Sequence, residues 1–570
     1  MTLEETGHTA ELPPLGVDDC AEALAVELRD KQAKQAGAAT LSEFLRLIAG
    51  VERPISDPAT NLAEPGATAD YLLACHRVLE QALVRQLSPY SRYRWLWYLR
   101  RTARAYFDGA HPTTGPYDRA LAEALVAQST GTSQPYLRRG MLCFTVDRAA
   151  ARHIHRLIAG VKLLSQIHVL LRFAGKGAAF RFASSPLPVA ATPDTVLRSI
   201  DVYDQRIAEQ KSRSLSALGT TLELAAIAGD VREEHGSFLV LEGIRPLELP
   251  APLFEREGVS LVRVLANFLP RAMHLQDLVT SLAEMRAAGV DLPLRFGAQL
   301  LLSQVSLRVG LHFRGSAIGM FRYGYFPMAS EEAQTVMDRW IPEAILEIGN
   351  VLNGLPLPGT YAAMREELAS TAPVLWPLRP ASPLIVEGRI TCLDFATAWE
   401  GILSSFSGLR SAGAAANARA ASFERTTQAH IDRSNWAPPP QWLDYRRRTL
   451  RLSRRDLTDV DAIGVKGNTI LLVSCKSIVY SPEYDVGDFR IIRNVATVVN
   501  DAVTYWQGIV RFLRENRRGD NFDFTTFENI LGIVCTPFVV FTANESALRE
   551  VADGLRAAVS LDELNRWLSR

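Results

Sequence analysis

Between Leu457 and Ser477 the chain reads LTDVDAIGVKGNTILLVSCKS, two β-prone runs separated by Gly467-Asn468. That pair favours a two-residue hairpin turn, because glycine and asparagine tolerate the positive φ such turns demand. A hairpin closed there sets Asp461 opposite Ser474 and Asp459 opposite Lys476, and alternation by two puts all four side chains on one face. Directly opposed Cβ atoms lie roughly 4.5 to 5.5 Å apart. Two aspartates and a lysine beside the apolar run Ile470 to Val473 are costly to bury unless they pair with one another or hold a cation. The spacing therefore predicts either a cross-strand Asp459–Lys476 pair at a sheet edge or a metal site.

Working outward, Ser422-Phe423-Glu424-Arg425 opens a helix-like segment, Phe423 to Ile431. Phe489 to Leu513 is a long amphipathic segment, and Ile530 to Cys535 an apolar strand. The order is helix, strand, hairpin, helix, strand. From about Glu424 to about Phe541 this arrangement resembles the PD-(D/E)XK nuclease superfamily, the restriction-endonuclease-like fold.

The resemblance implies a metal-dependent endonuclease that hydrolyses phosphodiester bonds in DNA with Mg2+ or Mn2+. Its motif residues fall on Asp461 as the first acid, on Ser474-Cys475-Lys476 as the second motif, and on Glu424 as the metal-orienting residue of the first helix. Ser474 stands where the family usually has Asp or Glu, and serine is a poorer ligand for a hard divalent cation. Three arrangements are open. The second acid comes from the following segment, where Glu483, Asp485 and Asp488 are available and Asp488 has the closest spacing. Alternatively Asp459 joins Asp461, or the fold is kept without catalysis and binds nucleic acid or a partner protein.

Tyr445 to Arg455 holds six arginines, Arg446, Arg447, Arg448, Arg451, Arg454 and Arg455, and Arg511, Arg514, Arg517 and Arg518 form a second cluster. Such groups neutralise backbone phosphates without reading sequence. They also suit a charged edge strand that resists aggregation.

The 570 residues exceed one ordinary core. We expect an α-rich N-terminal region over 1–390, with a mixed subdomain around 180–330, and a connecting segment over 391–422. An α/β C-terminal domain, a restriction-endonuclease-like mixed sheet flanked by helices, would occupy 423–570. Proline-rich breaks divide the first region, and Ser411 to Ala421 reads as a joint or a weakly amphipathic helix. The layout resembles bacterial restriction and phage-defence nucleases, so the first region is expected to meet a substrate, a second copy or a defence partner.

The formal net charge of +0 gives no whole-chain argument for a polyanion, so any nucleic-acid surface is local. The six scattered cysteines fit a reducing cytoplasm and exclude a zinc knuckle. The acidic start lacks the basic and apolar parts of a secretory signal, and the run Ile530 to Ala543 is too short to span a bilayer, so no membrane association is expected. His153 and His155 lie two apart on a helical pattern and so point to different faces, which argues against a metal site with His168. Trp95, Trp97, Tyr98, Tyr106 and Phe107 among arginines read as a core-facing amphipathic helix before a single-strand stacking surface.

Overall fold

The computed structural model describes residues 19–106, 115–138, 141–191, 194, 196–209, 293–299, 301–302, 305, 323–351, 359–370, 372–376, 378–394, 397–398, 401, 413–479 and 481–570. The strand-prone pieces Ser237–Leu241 and Leu307–Phe321 lie outside them, as does most of the expected mixed subdomain.

The N-terminal region is helical, as its periodicity predicts: α1 (Asp19–Glu27), α2 (Lys31–Ala49), α3 (Pro65–Arg85), α4 (Arg92–Tyr106), α5 (Gly115–Val126), α6 (Arg148–Gly175), α7 (Ser330–Val351) and α8 (Tyr361–Ser370). Asp147 starts α6 by accepting from the Ala150 N–H at 2.8 Å, which satisfies a donor the helix itself leaves open. Ile154, Leu157, Ile158, Val161, Leu164, Ile167 and Leu171 are all buried, so α6 packs α2, α3 and α5 around itself. Among the described residues it is the one helix long and apolar enough to cross a membrane, and its most apolar window is 61% buried inside the protein. Its apolar surface is used for internal packing. The aromatic stretch of α4 is core too, with Tyr93, Trp95, Trp97 and Tyr98 almost wholly enclosed.

Short strands complete this region. β1 (Leu62–Ala63), β4 (Phe180–Arg181) and β5 (Val189–Ala190) form one sheet, and β2 (Tyr136–Arg138) pairs β3 (Met141–Cys143). β6 (Tyr325–Ala329), β7 (Leu384–Glu387) and β8 (Ile390–Asp394) form a third, in the order β6-β8-β7. The third sheet straddles residue 390 and is tied to the helices by a buried cation. Arg100 of α4 donates to Glu123 of α5 at 2.5 and 2.6 Å and to Asp394 of β8 at 3.2 Å.

The C-terminal region begins with α9 (Ala414–Asp432), so the described part of the Ala-rich stretch, from Ala414 to Ala421, is helix. A hairpin of β9 (Thr449–Leu452) and β10 (Arg455–Asp459) precedes the main sheet. That sheet contains β11 (Ala462–Lys466), β12 (Thr469–Cys475), β13 (Asn529–Thr536) and, beyond the short pair β14 (Glu550–Ala552) and β15 (Leu555–Arg556), β16 (Ala558–Ser560). Its order is β11-β12-β13-β16, antiparallel at the first step and parallel at the next two. Lys466 pairs Thr469, leaving Gly467-Asn468 as a two-residue turn with φ +58 at the glycine.

Between β12 and β13 run α10 (Pro482–Val486) and α11 (Phe489–Glu515), and α12 (Leu561–Leu568) closes the chain. Ile463, Ile470, Leu472 and Val534 share one core with the α11 residues Ile492, Val499, Val503 and Trp506. The alternate residues Ala462, Leu471, Val473 and Ile533 pack with Phe423 and Ile431 of α9 and Leu564 and Leu568 of α12. The result is a mixed sheet with helices on both faces.

The two regions share a hydrophobic core. Gly487, at φ +93, lets the end of α10 touch α6, where an added Cβ would lie 2.3 Å from Arg172 Cα. Arg206, in the helical residues 196–209, donates twice to Glu563 at 2.7 Å, with both side chains buried. Glu563 is also the third residue of α12 and closes a capping box with Ser560. Arg206→Ala would leave that buried carboxylate with the Ser560 N–H and the more distant Arg556, 3.9 Å away. We expect a loss of about 3–5 kcal/mol, measurable as a lower midpoint in urea unfolding, whereas a change at exposed Arg198 should leave the midpoint in place.

Candidate active site

Three elements bring carboxylates to the start of β11. Asp461 precedes that strand, and its Oδ2 accepts from the Cys475 N–H at 2.6 Å. The Ser474 hydroxyl and the Lys476 charge lie close enough to act on its carboxylate. The ladder keeps the expected register but ends at Ala462–Val473; Asp461 itself donates its N–H to the Val473 carbonyl at 3.2 Å, so it lies one step beyond the paired strand rather than squarely opposite Ser474. Lys476 is partly exposed, and its backbone N–H donates to Cys535 at 2.8 Å.

Glu424 reaches the same place from α9. A buried glutamine one turn along that helix fixes its position: Gln428 accepts from the Ile463 N–H at 2.8 Å and donates to the Ile463 carbonyl at 3.0 Å. β11 is an edge strand, and this side chain takes up the backbone groups that the edge would leave open. Val465 is served likewise by the Trp436 carbonyl at 2.8 Å. Gln428 was legible only as the residue four after Glu424 on one helix face.

Burial raises the Asp461 carboxyl above its ordinary range, and the neighbouring Asp459 adds to it; the Cys475 N–H, Lys476 and Ser474 pull the other way. Glu424 is raised by burial and then by Asp461, against the pull of Arg447. The two acids are held near each other at a cost that a cation would relieve.

Asp459 is nearby but not where the simple hairpin put it. It ends β10, pairs Thr449 of β9 and accepts from the Thr449 hydroxyl. The chain leaves that hairpin at Val460, whose carbonyl accepts from Arg447 N–H at 2.7 Å, and β12 has parted from β11 before Lys476. An Asp459–Lys476 cross-strand pair is thereby excluded. Asp488 caps α11 through the Ile491 N–H at 2.9 Å, and Glu483 is paired with Arg379 at 2.7 Å. The Asp485 side chain lies outside the described residues. Among the described residues no group of three or more His, Cys, Asp or Glu side chains could hold a metal. What the described residues do offer is two carboxylates that act on each other's charge, and magnesium can use so small a set because it keeps several waters and leans on substrate phosphate.

The basic run is divided by the fold. Arg447, at φ +56, donates to Glu424 at 3.1 Å and to the Ala421 carbonyl at 3.0 Å, and so enters the site. Arg451 pairs Asp456 at 2.7 Å, and Arg446 lies 3.7 Å from Asp432. Arg448, Arg454 and Arg455 are exposed and, among the described residues, have no carboxylate partner. Ser453-Arg454 is a tight turn with φ +52 and +62, which the Asp520 carboxylate holds through both backbone N–H groups at 3.0 and 2.5 Å. In the second cluster, Arg514 and Arg517 are spent on carbonyls of Ile530, Phe527 and Glu528. They serve the β13 entry rather than a phosphate surface. The histidines do not converge, since His155 bonds the Leu28 carbonyl at 2.9 Å while His168 stacks on His76 at 4.9 Å.

A carboxyl raised on folding favours the native state when protonated and disfavours it once ionised. Asp461→Asn and Glu424→Gln, which keep shape without charge, should therefore raise the metal-free melting temperature by a few degrees at neutral pH. The gain over wild type should vanish as pH falls through the carboxyl range, because wild type is then protonated too; a gain independent of pH would overturn the assignment. No protein-family model, curated protein or solved structure matches the chain.

Proposed function

We propose that the C-terminal region is a restriction-endonuclease-like, metal-dependent nuclease acting on phosphodiester bonds in DNA. The observation that carries this reading is the approach of Asp461, just before β11, and Glu424 of α9, beside Lys476. The sequence of elements around them, α9, β11, β12, α11 and β13, supports the same reading. So does the mixed sheet, antiparallel at β11-β12 and parallel at β12-β13.

In this reading Asp461 and Glu424 would hold Mg2+ or Mn2+, with the Ser474 hydroxyl beside them. The ion supplies Lewis acidity at the scissile phosphate and makes water nucleophilic at neutral pH. Lys476 orients the attacking water and offsets the developing negative charge. Arg447 leaves Glu424 for a phosphate oxygen. Arg448, Arg454 and Arg455, on and beside the β9–β10 hairpin, meet the flanking backbone without reading bases.

A second reading is favoured by Ser474 and by the limited ligand set: the same surface grips nucleic acid without cutting it. Cleavage of linear, supercoiled and single-stranded DNA in magnesium and in manganese separates the two. On the nuclease reading Asp461→Ala and Lys476→Ala each lower the rate by about 100-fold or more; no cutting by wild type with either ion, alongside salt-sensitive binding, leaves the grip. Combined Arg448→Ala, Arg454→Ala and Arg455→Ala should flatten the dependence of log binding constant on log salt by about 3. An unchanged slope would remove the hairpin from the interface.

A further inference from the structure

A cavity of about 220 Å3 opens in the N-terminal array, where the end of α3, the loop before α4 and the first turns of α6 meet. It shares no residue with the acidic site. Arg85 and Arg156 stand in its lining with His153 and Gln86, and Trp95 and Leu157 form part of its apolar wall. No carboxylate lines it. Among the described residues neither arginine has an acidic partner, and both are exposed. The Gln86 Oε1 atom is buried and accepts no hydrogen bond, although a buried polar atom normally has a partner.

The walls are fixed before any ligand arrives. Trp95 Nε1 donates to the Leu87 carbonyl at 2.9 Å, and the Ser129 hydroxyl bonds the Leu87 and Tyr90 carbonyls at 3.1 and 2.6 Å. The tryptophan is 1% exposed. His153 is held below its ordinary pKa by burial, with Arg156, Arg152 and Arg94 adding to the effect and Asp147 opposing it. The field at this histidine is thus dominated by cations.

We propose that this cavity binds a small phosphomonoester whose organic part is apolar. Two guanidiniums recognise a phosphate through paired N–H groups, and a phosphomonoester carries about −1.5 to −2 charges at pH 7, which suits two cations better than a single carboxylate would. The apolar wall receives the organic part. The volume excludes a large ligand, since drug-sized sites run to roughly 300–1,000 Å3.

Isothermal titration calorimetry on the full chain tests this with 4-hydroxyphenyl phosphate, inorganic phosphate and hydroquinone as probes. The expected result is saturable binding of the aryl phosphate, weaker binding of phosphate, and none of hydroquinone. Arg85→Ala and Arg156→Ala should each weaken aryl phosphate binding by about tenfold or more, while Arg152→Ala, on the same helix but outside the lining, should not. Both arginines are exposed, so thermal melts should confirm intact folds. Absence of saturation, or wild-type affinity in both variants, overturns the proposal. So does binding lost in Arg447→Ala or Lys476→Ala but kept in Arg85→Ala and Arg156→Ala, which would move the phosphate to the acidic site. The inference is independent of nuclease activity.

Discussion

Ile463 lies in an edge strand, and both of its outward backbone groups are taken by one side chain, Gln428. An edge strand left bare invites pairing with another chain; here a helix covers it and is held at a fixed height along it. Glu424 sits one turn before Gln428 on that helix, so the bonds that close the sheet also set where its carboxylate meets Asp461. Each such hydrogen bond contributes only about 1 kcal/mol net, but leaving a buried partner unsatisfied costs about 1–3 kcal/mol. Site geometry and sheet closure thus depend on the same contact.

The N-terminal array is continuous with this arrangement. α6 packs against α10 and α11, the helices that follow the site strand β12, and the contact is close because residue 487 has no side chain. The Arg206–Glu563 pair fastens a second point at the far end of the sheet. Each buried ion is compensated twice, by its counter-ion and by backbone groups: Arg206 also bonds the Ala558 carbonyl at 3.3 Å, and Glu563 accepts from the Ser560 N–H at 2.8 Å. Buried pairs need such additional bonds to offset their lost hydration.

Charge close together in sequence is not charge close together in space. The six arginines between Arg446 and Arg455 separate: Arg446 and Arg447 meet Asp432 and Glu424 before β9 begins, Arg451 pairs Asp456 across the hairpin that turns at Ser453-Arg454, and the other three face solvent. That turn uses two non-glycine residues at positive φ, a conformation costing of order 1–3 kcal/mol per residue. Asp520, from a distant loop, offsets it by accepting from both N–H groups. No local rule would place a turn there.

The sequence by itself determined the elements that local pattern controls. Gly467-Asn468 closed the β11–β12 hairpin in the expected register, the long amphipathic segment marked α11, and the apolar run Ile530–Cys535 marked β13. That register carries the chain as far as Ala462 opposite Val473, next to Asp461. Tertiary structure decided what register could not reach: Asp459 left the sheet with β10, Asp488 was taken up as a helix cap, and Arg447 crossed to Glu424. The physical reason is range. Alternation and turn chemistry act over a few residues, whereas an acid's final partner is set by which helix end, edge strand or distant carboxylate the packed core brings within hydrogen-bond reach.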